Sequence, residues 1–178
     1  MTLVMFTPED LAIIDEETRV RDAAIDATGL GMDTSSGSST RLERQRVGVM
    51  GEAAMIKALA RDVKEVLSGG KLDGGTDIIV KAKAGVRALE YRMSIKSSMT
   101  PTPQWVYAND KGRFRVDMIA LVAKPRMPDA MDIIGWQWME HFKRYAEVQQ
   151  IGGRPYLALK SRELLPVEWL LRMSGLPV

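Results

Sequence analysis

From Leu89 to Lys96 the chain alternates without a break. Leu89, Tyr91, Met93 and Ile95 fall on one side of an extended strand, and Glu90, Arg92, Ser94 and Lys96 on the other. That period does not suit a helix; it predicts a strand from Val86 to Ser97 with Ser94 and Lys96 on its polar face. Thr76 to Lys83 reads as a second strand and Ala84-Gly85 as a turn, so the two form a hairpin. Folding the hairpin about its turn sets Asp77 opposite a residue near Arg92 to Ser94, and so close to Lys96. A carboxylate beside a lysine on the neighbouring strand is able to hold a divalent cation and to stabilise charge on a phosphate. Taken alone, the commoner meaning of such neighbours is an exposed ion pair.

Thr7-Pro8-Glu9-Asp10 marks a helix start, with Thr7 as cap and Pro8 at the first helical position, and the helix is expected to run to about Ala27. Gly29 to Thr40, rich in glycine and serine, reads as a mobile surface loop. It separates an N-terminal helical arm (residues 1–40) from a main domain (residues 41–178). A second helix is expected from about Arg41 to Leu67, with Val47, Met50, Ala54, Ala58 and Leu59 at helical spacing, and it carries Glu52. Arg41, Arg44 and Arg46 cluster near its start, either as nucleic-acid phosphate contacts or as a solvated basic face. Beyond the Thr100-Pro-Thr-Pro loop, Arg115 to Ala123 and Met131 to Trp136 read as strands and Trp138 to Val148 as a helix. Tyr156 to Lys160 is a further strand, and a last helix is capped by Ser161 and closed by Gly175.

Composition narrows the chemistry. A chain of 178 residues, 46% of them apolar, suits one well-buried domain. The absence of cysteine excludes disulfides, zinc-thiolate sites and cysteine nucleophiles. His141 is the single histidine, so a two-histidine metal site is impossible, and its place in a helical turn suits a structural role. Any metal is then held mainly by oxygen, which points to Mg2+ or Mn2+. A net charge of +2, from 25 basic and 23 acidic residues, sets up no global field, so a nucleic-acid surface would be a local patch. No apolar run nears the roughly 20 residues of a membrane span, and Met1 to Phe6 lacks the character of a signal peptide. A soluble, intracellular protein is the expectation.

Three segments in order carry a more specific pattern: Gly51-Glu52-Ala53 on a helix, Gly74-Gly75-Thr76-Asp77 opening a strand, and Ser94-Ile95-Lys96-Ser97-Ser98 ending the next. Together they resemble the PD-(D/E)XK nuclease superfamily, in which a helix supplies a glutamate, the first hairpin strand an aspartate and the second strand an acid-x-lysine pair. Val116 to Leu121, Ile133 to Trp136 and Ser161 to Pro166 are similar to segments of small phage and bacterial members, and the resemblance spans about Arg41 to Leu170. It implies an α/β, restriction-endonuclease-like core, a mixed central sheet flanked by helices. It also implies a Mg2+- or Mn2+-dependent deoxyribonuclease of the cytoplasm, the host's if phage-encoded. Asp77 would be the central metal ligand, Glu52 a ligand directly or through water, and Lys96 the group that orients the attacking water or stabilises the phosphate. DNA is the implied partner, with RNA and self-association left open.

Ser94 departs from that pattern. A hydroxyl in place of a carboxylate removes one negative charge and one strong oxygen ligand, so metal affinity should fall. Either another acid replaces it, as in restriction enzymes that carry serine-x-lysine, or the protein binds without cleaving, or the position was altered to trap an inactive state. Glu90 lies about 13 Å along the strand and is too far. Asp117, on the next expected strand, ranks first as the substitute ligand, with a structural role as its alternative. Asp110, in Asn109-Asp-Lys-Gly, reads as a turn residue. Among the four tryptophans, Trp136, Trp138 and Trp169 suit packing, and Trp105, beside the proline-rich loop, is the candidate substrate contact.

Overall fold

A computed structural model of the chain describes residues 1–28, 40–64, 76–84, 87–109 and 115–177. The loop expected at Gly29 to Thr40 lies outside these but for Thr40, and so does Asp110. The order is β1 (Thr2–Met5), α1 (Pro8–Thr28), α2 (Arg41–Ala58), β2 (Ile78–Ala84), β3 (Arg87–Ser98), β4 (Trp105–Asn109), β5 (Met118–Ala123), β6 (Ala130–Trp138), α3 (Met139–Tyr145), β7 (Glu147–Ile151), β8 (Arg154–Lys160) and α4 (Val167–Met173). The protein is a mixed α/β fold.

The main sheet runs β1-β6-β5-β3-β2, with β3 and β5 parallel and every other neighbour antiparallel; a smaller sheet runs β4-β8-β7. Strand β5 is buried along its whole length, because each of its faces meets a different core. Met118, Ala120 and Val122 pack with Met50, Met55, Met93 and Ile133 in the larger core beneath the helices. Ile119 and Leu121 pack with Val106, Phe142 and Leu159 beneath the smaller sheet. Each of these large side chains contributes roughly 1.5–3 kcal/mol on burial. Among the described residues no helix is long and apolar enough to cross a membrane.

Local chemistry explains the element ends. At α1 the Thr7 hydroxyl accepts from Asp10 N–H at 3.2 Å and the Asp10 carboxylate accepts from Thr7 N–H at 2.9 Å, a reciprocal cap. Thr40 and Glu43 form the same device at α2. Helix α2 stops at Ala58 rather than near Leu67, since Ala60 takes a left-handed φ of 54° that no helix continues. The helix expected to reach Val148 ends at Tyr145, and Glu147 onward is a strand. The cause is Gly152-Gly153, whose φ of 56° and 77° turn the chain back on itself as the β7–β8 hairpin. Ser161 opens a short 3-10 turn instead of capping the last helix, which starts at Val167 and closes at Gly175 with a bond from Leu176 N–H to Leu171 O at 2.9 Å.

The first 28 residues, expected as an arm, contribute to the main core. Strand β1 pairs with β6, and Val4, Phe6 and Ile14 are buried in the larger cluster. Ion pairs join α1 to α2 through Arg46 and Asp15, Arg41 and Asp22, Lys57 and Asp10, and Arg21 and Glu52.

Candidate metal and nucleic-acid site

The hairpin register pairs Ile78 with Met93, so the next position sets Asp77 against Ser94, and Asp77 N–H donates to Met93 O at 2.9 Å. The carboxylate of Asp77 turns toward β3. Its Oδ2 accepts from the Ile95 N–H at 2.5 Å and from the Ser94 hydroxyl at 3.2 Å. Ser94 is 1% exposed. It therefore lies on a covered face, and its hydroxyl spends its proton on Asp77.

Glu52 reaches this strand because of the residue before it. A Cβ at Gly51 would stand 2.0 Å from Ser97 Oγ and 3.3 Å from Ser97 Cβ, so the bare glycine lets α2 seat against β3 with the Ser97 hydroxyl turned toward the helix. Glu52 and Lys96 then face one open cleft of about 800 Å³, which is also bordered by Arg44, Thr100, Trp105 and Tyr107. Asp77 is not part of that wall; its carboxylate is tied to the strand that is.

Both carboxyls titrate above their usual range. Burial is the first cause for Glu52, and the charges of Asp77 and Glu17 add to it while Arg21 opposes. Burial is again first for Asp77, opposed by the Ile95 N–H, the Lys96 charge and the Ser94 hydroxyl. Glu52, Asp77, Arg21 and Lys96 thus share one electrostatic field.

Arg21 is the member that sequence reading missed. Its Nη1 and Nη2 donate to the two oxygens of Glu52 at 2.7 Å each, and its Nε donates to Glu17 at 2.7 Å. Burial works against its charge, but the bonds and charge of Glu52 overcome this and hold it more firmly protonated than usual. The i,i+4 spacing of Glu17 and Arg21 is visible in the sequence; the partner 31 positions away is not.

The remaining candidates separate. Asp117, the expected replacement acid, accepts from Arg92 N–H at 2.8 Å and borders a different pocket with Tyr91, Trp138 and Lys143. It is not brought to Glu52 and Asp77. Arg41 and Arg46 form ion pairs with Asp22 and Asp15 of α1 at 2.7 and 2.6 Å, and of the three arginines Arg44 is the one on the cleft. Trp105 is half-buried on the cleft rim, with Lys160 Nζ 5.5 Å from its ring. Trp136 is buried, its indole N–H donating to Pro166 O, and Trp169 is exposed. His141 packs on Tyr145 at the surface of α3.

The donors present suit a hard cation. Two half-buried carboxylates whose charges repel are the kind of pair that Mg2+ takes, with water and phosphate oxygens completing its shell. Among the described residues there is no cluster of three acidic or histidine ligands, so Glu52 and Asp77 would carry such a site alone. Comparison with family models, curated proteins and solved structures returned no match.

Proposed function

We propose that the chain is a divalent-metal-dependent nuclease with a restriction-endonuclease-like core, hydrolysing phosphodiester bonds in DNA through Glu52, Asp77 and Lys96. The observation that carries this reading is the hairpin itself. It joins Asp77 to Ser94 and Ile95 by hydrogen bonds, puts the Lys96 charge in reach of Asp77, and runs beside Glu52. Glu52 and Asp77 would hold Mg2+ or Mn2+, which supplies charge neutralisation at a phosphate and a more acidic water. Lys96 offers a donor and a positive charge to the phosphate oxygens where negative charge builds. Ser94 orients Asp77 in place of adding a ligand. Arg44 and Trp105 give the cleft a cation and an aromatic face for the rest of the substrate.

A second reading, a nucleic-acid-binding protein that does not cleave, is favoured by the occupation of both Glu52 oxygens by Arg21. Incubation with plasmid and single-stranded DNA in Mn2+ separates the two. Cutting that disappears in Lys96→Ala supports the nuclease. Binding without cutting, in both the parent chain and Ser94→Glu, supports the second.

A further inference from the structure

Arg21 lies where it changes the site. Its side chain is 25% exposed and that of Glu52 13%, so the pair is largely withdrawn from water. The guanidinium spans both oxygens of Glu52, and the Nε bond to Glu17, 6% exposed, fixes its orientation. Such a fork is a strong, charge-assisted contact. A cation approaching Glu52 meets oxygens already filled by donors of this chain, and a positive charge beside them. The neutral Ser94 adds to the effect, because it leaves three carboxylates, Glu17, Glu52 and Asp77, facing the two cations Arg21 and Lys96, where an acid at position 94 would make four.

We propose that Arg21 is the built-in counter-ion of this site and competes with a divalent cation for Glu52, so that helix α1 sets the cation affinity of α2 and β3. The inference rests on the cation reading of Glu52 and Asp77 given above. Arg21 is a positioning residue here: it decides whether Glu52 is available.

The test is Mn2+ binding to the full chain, followed by the spin-resonance signal of free Mn2+ and by calorimetry. The variants are Arg21→Gln, Arg21→Lys, Asp77→Asn and the double variant Arg21→Gln/Glu52→Gln. Arg21→Gln should bind Mn2+ about tenfold more tightly or better, since no bidentate charged bond has to be given up. Arg21→Lys keeps the charge but does not bridge both oxygens, and should tighten binding by about threefold. Glu52→Gln in the double variant should cancel the gain. Circular dichroism checks folding, and Arg21→Lys carries the comparison if Arg21→Gln does not fold. Unchanged or weaker Mn2+ binding in the Arg21 variants, with binding still lost in Asp77→Asn, overturns the competition and leaves the cation site standing. No Mn2+ binding in any variant overturns both.

Discussion

Ser94 donates its hydroxyl to Asp77 across 3.2 Å, from a position 1% exposed. A carboxylate at that position would enter a covered site that already holds Asp77 and Glu52. Ser94→Glu should therefore lower the melting temperature without metal by roughly 4–8 °C, about 2 kcal/mol for a chain of this size. Mn2+ should restore most of that loss, and should raise the melting point of the parent less. Differential scanning calorimetry with and without Mn2+ reads both effects; a Ser94→Glu protein indifferent to Mn2+ would contradict the placement of a cation here.

Gly51 and Ser97 test how α2 seats. The Cβ of Gly51→Ala would fall 2.0 Å from Ser97 Oγ and 3.3 Å from Ser97 Cβ, so the hydroxyl must turn away and Ser97 must give by a few tenths of an ångström. A loss of about 1–3 kcal/mol in urea unfolding is expected. Combining it with Ser97→Gly, which removes the opposing side chain, should recover at least half. Equal stability of Gly51→Ala and the parent would show that Ser97 gives way at no cost and that the seating of α2 does not need a glycine here.

The raised carboxyls give a pH dependence with a definite sign. The ordinary values for Asp77 and Glu52 are 3.8 and 4.5, and in the fold both lie higher, burial being the first cause. The folded state then binds more protons than the unfolded state. Their contribution to stability is complete below the ordinary values and is lost as pH rises through the folded ones. Asp77→Asn removes the charge and keeps an oxygen for Ile95 N–H and the Ser94 hydroxyl. It should raise the melting temperature at pH 7 by roughly 2–4 °C, with the gain gone near about pH 3. A lower melting point than the parent at pH 7 would reverse the assignment.

Trp105 stands at the cleft rim with Lys160 over its ring. If bases stack there, Trp105→Ala weakens single-stranded DNA binding by about 1–3 kcal/mol, read by fluorescence anisotropy, while leaving the melting point within about a degree or two of the parent. Loss of binding in step with loss of folding would mark it as packing.

What was legible in the sequence follows the range of the interactions. The hairpin announced itself through period two, and Asp77 meets Ser94 as the register requires. The caps at Thr7 and Pro8 are local chemistry and were equally readable. Glu147 and Val148, the first two residues of β7, read as the end of a helix because Glu147 to Ile151 lacks a clean period and the decisive residues, Gly152 and Gly153, come after it. Asp117 was ranked as a ligand on strand order alone, but its carboxylate closes the backbone at Arg92. Arg21 lay outside the resemblance, and a bond across 31 positions leaves no mark in either segment. The proposed nuclease chemistry rests on the motif and on the geometry of Glu52, Asp77 and Lys96 together.

The pairing of Thr2–Met5 with Ala130–Ile133 has a consequence for biosynthesis. Strand β1 waits for more than a hundred further residues before its partner exists, and a contact so distant in sequence closes slowly. Until then α1 is not anchored at its start by the sheet. A nascent chain stalled before Ala130 would already hold the residues of the hairpin and of the α1–α2 ion pairs, Arg21 with Glu52 among them, yet lack the strand that β1 pairs with. The edge of the main sheet, rather than the charge balance of the cleft, would be among the last features of the molecule to mature.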